Sequence, residues 1–395
     1  MLNTRLSRFR GGLFEPSGKS DIGEATDVLR RNGTDILAWA DPFLPDRSLP
    51  QSIRAALHEA AEEEAIEHYA LPIGTRELRE ALARKVASKN GIAADPSRNI
   101  LVTPGADSGL FLCMMALLNP GDEVLIPEPG FPAAFSNCEI LGATPVPVRM
   151  TAESGYQIDV ADLERALTPR TKMVFIAHPN NPTGTVFRES VLRDLARFVV
   201  EHDLLLLCDQ AFEDHIFDGI EFVSPAALPG MGDRTVTVFS LSKGYGFSGF
   251  RVAYVHACAE IMDVLYGNVT TVCGATSTLA QRLALAALAD DGLLREYGEK
   301  HERRRRLLHD ALSDVPGVRM RLSESGILSW VDVSALGTSA EVVRHLVEQA
   351  NVLVNDGAAY GPHGAGHLRV VHGCLLEDDY AAEVYGRIRS ALMRL

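Results

Sequence analysis

Ser240-Leu-Ser-Lys-Gly-Tyr-Gly-Phe-Ser-Gly-Phe-Arg251 sets one lysine, Lys243, among hydroxyl and glycine residues, with an arginine closing the run. The stretch follows the strand-like Thr235 to Phe239, so it reads as the turn leaving a strand. An amine beside two serines and an arginine is the chemistry that holds a phosphorylated aldehyde. Lys243 can form a Schiff base with the carbonyl, Ser240 and Ser242 can donate to the phosphate, and Arg251 can grip it with two parallel hydrogen bonds. A lysine in a glycine-rich turn, taken alone, reads as a solvated surface residue. The rest of the chain decides between the two.

Two more polar segments follow apolar runs. His178-Pro-Asn-Asn-Pro-Thr-Gly184 comes after Met173 to Ala177, and Cys208-Asp-Gln-Ala-Phe-Glu-Asp214 comes after leucines 204 to 207. Both are strand ends, and open α/β sheets bind ligands just past the carboxyl ends of their strands. Helix-like and strand-like segments alternate along this part of the chain, the pattern of a mostly parallel sheet flanked by helices. Strands are expected at 100–103, 123–126, 144–148, 172–177, 204–208, 235–239 and 251–256, and helices at 51–68, 75–89, 107–118, 131–141, 159–167 and 188–202. From about residue 290 the pattern changes to long helical sequence with apolar strands near 326–331 and 367–371, a smaller α+β part. No internal repeat or low-complexity tract interrupts it.

With these segments in this order, nearly the whole chain resembles the class I/II aminotransferases, the fold type I enzymes that use pyridoxal 5'-phosphate (PLP). The resemblance implies a large PLP-binding domain over 46–289 and a small domain made of 1–45 with 290–395. It implies catalytic roles for Lys243 and for Asp209, the carboxylate that pairs with the protonated ring nitrogen. An aspartate there can equally cap the following turn. Asn181 matches the family's donor to the ring 3-oxygen. Gly105-Ala106-Asp107-Ser-Gly109 matches the phosphate-cradling turn, whose N–H groups would face an anion at a helix N-terminus. The family often has a hydroxyl where Asp107 stands, so the Asp107 side chain is expected to act as an N-cap and leave the phosphate to the backbone. Phe131, in Glu128-Pro-Gly-Phe131, matches the aromatic ring laid against the cofactor, although a phenylalanine is ordinarily core.

Arg369, in His-Leu-Arg-Val-Val-His372, matches the arginine that binds the substrate α-carboxylate, with Asn181 and Ala40 beside it. Ala40 lies in Trp39-Ala-Asp-Pro42, where the family has a pocket-bordering loop, as it does at Gly274 to Gln281. Tyr69 matches the tyrosine that reaches the phosphate of a neighbouring subunit, which implies a homodimer.

One position departs from the family. Phe212 stands where a tyrosine usually donates to the ring 3-oxygen, and its loss should raise the pKa of the Lys243 Schiff base. The expected function is PLP-dependent transamination between an L-amino acid and a 2-oxo acid, in ping-pong fashion. Other PLP reactions on an amino acid, β-elimination, cyclisation or oxidation in a specialised pathway, stay open as the alternative. A PLP-sensing regulator is the non-enzymatic reading, and it would be expected to carry a basic helix-turn-helix segment ahead of the family-like region, where only about 40 residues stand.

Composition fits an enzyme. The 395 residues carry a net charge of −14 and are 46% hydrophobic, which argues against nucleic-acid binding, since that depends on clustered cations. The basic run Arg303 to Arg306 reads as a solvated helix face. No apolar run approaches the roughly 18 residues that cross a bilayer, and the arginines at 5, 8 and 10 are not followed by a signal-like apolar segment. Six cysteines without a CxxC pair point to a reduced, cytoplasmic protein. His363, His367 and His372 lack the companions of a metal site, and no metal is expected.

Overall fold

Leucine, isoleucine and valine runs bounded by Gly, Pro, Asn and Asp become the centre of the molecule. The computed structural model describes residues 24–42, 49–375 and 377–395. Helix α1 (Glu24–Arg31) and the short strand β1 (Asp35–Ile36) precede α2 (Gln51–Ala60) and α3 (Arg76–Asn90). An alternating series follows: β2 (Ile100–Thr103), α4 (Ala106–Leu117), β3 (Glu123–Glu128), α5 (Pro132–Leu141), β4 (Thr144–Arg149), α6 (Val160–Ala166), β5 (Thr171–Ala177), α7 (Glu189–Glu201), β6 (Leu205–Asp209), β7 (Thr235–Ser240), the single turn α8 (Leu241–Gly244) and β8 (Ala253–His256). Beyond it lie α9 (Ala259–Val272), α10 (Thr278–Leu288), α11 (Asp291–Leu312), β9 (Arg319–Met320), β10 (Leu328–Asp332), α12 (Ser339–Ala350), β11 (Val352–Leu353), β12 (Asn355–Asp356), β13 (His367–Val371) and α13 (Asp378–Leu392).

The main sheet has seven strands in the order β2-β8-β7-β6-β5-β3-β4, and β8 alone runs antiparallel to its neighbours. Both faces of the central strands are covered. On β5, Met173 and Phe175 join one core cluster while Val174 and Ile176 join another, and on β6 Leu207 faces away from Leu206 and Cys208. That period of two, apolar on both sides, is why these strands read as unbroken hydrophobic runs. Strand β4 carries Pro145 and Pro147 and lies at the sheet edge, where a missing N–H costs no ladder bond.

A second, antiparallel sheet of order β12-β13-β10-β9 packs with α11, α12 and α13 around a separate cluster that includes Val331, Leu346, Val370 and Tyr385. The N-terminal segment belongs to this cluster. β1 pairs in parallel with β11, the Leu37 N–H donates to Leu353 O, and Leu37 O accepts from the Val371 N–H. This stitching carries Ala38 to Asp41 across to the edge of the main sheet.

Three expectations need correction. The helix expected over 51–68 ends at Ala60, and a 3₁₀ turn, Glu64–Glu67, follows. Glu62, Glu63 and Glu64 would crowd like charges onto the negative end of a longer helix. Asp107 is not an N-cap: α4 begins at Ala106 behind Gly105, and no side chain caps it. The run Arg303 to Arg306 is only half a solvated face, with Arg303 and Arg306 exposed. Arg304 and Arg305 are fully buried, Arg304 on Leu375 O and Asp378, and Arg305 on Ser323 O, Asp218 and Glu302 with its guanidinium over the Phe217 ring. Charge pattern along one helix does not show partners that arrive from other elements.

A buried charge cluster supports the turn that carries Lys243. Lys85 of α3 donates to Glu213 at 2.5 Å and lies 3.2 Å from Asp214, which also takes a 2.6 Å contact from Lys89. Burial opposes the Lys85 charge, but Asp214 and Glu213 outweigh it and keep the ammonium charged. The Asp214 carboxylate lies against Gly244, where an added Cβ would sit 2.2 Å from Oδ2. Removing one partner of such a cluster leaves uncompensated charge. We expect Lys85→Met to cost about 3–5 kcal/mol of unfolding free energy, measured by chemical denaturation. A loss below about 1 kcal/mol, the value of an exposed pair, would show that the cluster is effectively solvated.

Candidate functional site

Six strands of the main sheet end at one edge, and the reversed β8 begins there, so the loops leaving or entering all seven can share a crevice. A cavity of about 460 Å³ opens at that edge. Asp209 ends β6, Ser240 ends β7, and Lys243 projects from α8 between them. Asn181 follows β5, Phe131 follows β3, and Ala106 and Asp107 open α4. Ala40 comes from the N-terminal segment and Arg369 from β13 of the second sheet. All these residues, with Phe212, Ser242 and Arg251, line the one cavity. Gly105 stands behind it, at a left-handed φ of 93°, and an added Cβ would meet Arg251 Nη2 at 2.2 Å.

Tyr69 is the exception. It is 99% exposed and borders a separate surface pocket with Ala275 to Thr278. Its loop is tied to that segment by Thr278 Oγ1 donating to His68 O at 2.7 Å.

A larger cavity of about 650 Å³, lined by Arg149, Arg321, Trp330 and His367 among others, contains none of the residues expected in the site. Size alone does not locate chemistry: Glu153, Tyr156 and Asp332 of the larger cavity are also shifted, but the smaller one sets a lowered lysine and a raised aspartate in the same space. His363, His367 and His372 have separate partners: Glu128, Tyr156 and Ser329.

Lys243 Nζ donates to Ala40 O at 2.5 Å and lies 6.0 Å from the centre of the Phe212 ring. Burial, and then the positive charge of Arg369, lower its pKa to about 8, against the pull of Asp107 and Asp41. A neutral amine is therefore accessible near neutral pH. Asp209 moves the other way, up to about 7, because burial outweighs the hydrogen bond its Oδ1 accepts from the Ala211 N–H at 3.0 Å. A buried carboxylate that is costly to ionise is suited to a cationic partner.

Arg369 is 2% exposed. Its Nη1 donates to Asn181 Oδ1 at 3.2 Å, its Nη2 to Ala38 O at 2.7 Å, and its Nε and Nη2 to Asn355 Oδ1 at 3.0 and 2.6 Å. At the opposite end, Arg251 donates to Ser248 O at 3.0 Å and lies 3.5 Å from Asp107. Asp107 thus neighbours the phosphate-type arginine. Ser240 Oγ accepts the Ser242 N–H at 3.1 Å and caps α8.

Asp41 and Ser248, which share a 2.9 Å hydrogen bond at the cavity wall, lie inside Trp39–Pro42 and Ser240–Arg251 but have no role assigned by the sequence. Asn355 lies outside every motif. For Asn355 the available signal was a polar amide directly after the apolar Val352-Leu-Val354.

The family described as "Aminotransferase class I and II" matches residues 38–388. A probable aspartate/prephenate aminotransferase of Aquifex aeolicus is 33% identical over 387 residues, covering 96% of each chain. An arginine–pyruvate transaminase of Pseudomonas aeruginosa is 35% identical over 333 residues and 81% of each chain. Among solved structures, the aspartate aminotransferase of Thermus thermophilus with maleate superposes with a TM-score of 0.87 at 29% identity, covering 98% of this chain and 99% of that one. Alanine aminotransferase of Pyrococcus furiosus gives 0.89 at 25% identity over the full length of both.

The cavity also fits PLP on its own geometry. The N-terminus of α4 has no side-chain cap and Gly105 leaves no room for one beside Arg251, which is a cradle for a phosphate. Asp209 offers a buried carboxylate, and Lys243 an amine, in the same space.

Proposed function

The chain belongs to the class I and II aminotransferases, which use PLP to move an amino group between an amino acid and a 2-oxo acid, and we propose a division of that work among its own residues. The observation that carries the proposal is one cavity holding the depressed amine of Lys243, the raised carboxyl of Asp209 and the buried guanidinium of Arg369. PLP, when bound, supplies an aldehyde for amino groups and a protonated ring that draws electrons from the substrate α-carbon. Lys243 Nζ anchors that aldehyde and, once released, takes and returns the α-proton. Asp209 would pair with the ring nitrogen and keep it protonated. Arg251, the hydroxyls of Ser240 and Ser242, and the N–H groups at Gly105, Ala106 and Asp107 hold the phosphate. Phe131 would lie against the ring, and the Asn181 amide N–H would donate to its 3-oxygen. Arg369, with Asn181 and Ala40, orients the substrate carboxylate.

The exposure of Tyr69 away from its own cavity supports a reach to a neighbouring subunit's phosphate, and the proposed active unit is a homodimer. The large part, 46–289, carries the cofactor contacts, and 1–45 with 290–395 supplies Ala40 and Arg369. The boundary at 45/46 and residues 1–23 lie outside the described residues. The reduced cysteines favour the cytoplasm. No helix among the described residues is long and apolar enough to cross a membrane.

The test is a panel of the common amino acids against pyruvate and 2-oxoglutarate, with the new amino acid and the new oxo acid both quantified. Equal amounts support transamination. Ammonia released without a new amino acid would favour elimination or oxidation.

Phe212 offers a second check. It lines the cavity and has no donor, so with the cofactor bound the Lys243 nitrogen would keep a higher pKa than a tyrosine at this position would allow. Phe212→Tyr is expected to lower that pKa by about one unit, the scale of a hydrogen bond to a charged oxygen, read by absorbance titration of the loaded protein. An unchanged titration would place residue 212 away from the ring oxygen.

A further inference from the structure

We infer that Asn355 is a positioning residue for Arg369, holding the guanidinium with a neutral acceptor so that its charge stays available to the substrate carboxylate. The inference rests on the reading of Arg369 as the carboxylate holder. Asn355 lies directly opposite Arg369 in the β12–β13 pair, so their side chains leave the same face. Its Oδ1 accepts from both Nε and Nη2 of Arg369, at 3.0 and 2.6 Å. Arginine has only donors, so the amide must turn its oxygen to the guanidinium. Tyr360, fully buried, donates to the same oxygen at 3.4 Å and sets its ring 5.1 Å below the Arg369 Cζ. One edge and one face of the guanidinium are thereby fixed, and its Nη1 is directed to Asn181 in the cavity.

The residue type is informative. Asparagine is disfavoured in strands, so local propensity does not explain it. A carboxylate at this point would hydrogen-bond Arg369 as well, but it would also neutralise it at a buried site, where screening by water is weak. An alanine would remove the oxygen that accepts from Nε and shares Nη2 with the Ala38 carbonyl. An amide satisfies the donors and keeps the charge.

The test uses the PLP-loaded protein, the amino donor with the highest kcat/KM in the panel, and its best oxo-acid acceptor. Asn355→Ala should raise KM for both substrates about tenfold or more, because both carry the carboxylate, with kcat within about threefold of wild type. Asn355→Asp should raise both KM values further, although it restores a hydrogen bond. A structural role alone would not produce that order. Unchanged KM in both variants, a wild-type KM in the Asp variant, or a fall in kcat with KM unchanged would each overturn the inference. Arg369→Lys separates the two levels: if it leaves KM unchanged, the carboxylate reading itself fails and the inference falls with it. Should the Ala variant not fold, Asn355→Ser carries the same expectation, with the melting temperature as the check on folding.

Discussion

Lys243→Ala yields a folded protein with no measurable turnover. In the proposed division of work the amine would both anchor the aldehyde and move the α-proton, and proton transfer alone is worth about 10²–10⁴ in rate. Loss of both roles should exceed about 10⁴. The fold should survive because Lys243 is held by one hydrogen bond to Ala40 O, and burial makes its charge costly enough to lower the pKa to about 8. Its removal takes away a group the folded state accommodates at some expense. The check is an initial rate with the best amino donor, with the absorbance of the lysine-linked cofactor and a melting curve alongside. Turnover within tenfold of wild type would remove Lys243 from the chemistry.

Asp209→Asn has the second-largest expected effect. On the proposed reading the buried Asp209 carboxylate would form one half of a pair with a cationic ring, and removing one half of such a pair costs about 3–5 kcal/mol. That corresponds to a loss of turnover of roughly a hundred- to several-thousandfold. A second readout needs no cofactor. The Asp209 pKa is raised from 3.8 to about 7 in the folded protein, chiefly by burial, so the folded state holds this proton more tightly than the unfolded chain. Stability of the cofactor-free protein is then highest, as far as this group acts, below about pH 4. It falls as pH rises through the window up to about pH 7 and is level above it. Asparagine cannot ionise, so the variant should lack that fall and be more stable than wild type at pH 8. The same pH slope in both proteins, or turnover within a few-fold of wild type, would argue that Asp209 faces solvent rather than a ring nitrogen.

The parts legible in the sequence were those governed by local rules. Strand runs such as Ile100 to Thr103 appear where expected because they are apolar on both faces and bounded by turn formers. The convergence of Lys243, Asp209 and Asn181 was legible from strand ends meeting at one edge, whereas Arg369, on β13 of the second sheet, was placed only by the family resemblance.

Other features depend on partners far away in the chain. The burial of Arg304 and Arg305 is set by Asp378, Asp218 and the carbonyls of Leu375 and Ser323, none of them visible from the periodicity of α11. The start of α4 shifted by one residue because Gly105 takes a left-handed φ, and that shift moved Asp107 from the cap into the first turn. Asn355 matters only through its register opposite Arg369, and register between a two-residue strand and a distant one leaves no mark in composition.

The most direct test of the central claim is a single turnover of the PLP-loaded protein with each common amino acid and no oxo-acid acceptor, followed by mass spectrometry of cofactor and products. The account predicts one equivalent of pyridoxamine phosphate and one of the matching 2-oxo acid, with no further turnover until an oxo acid is added. Continued consumption of the amino acid with PLP regenerated would contradict it.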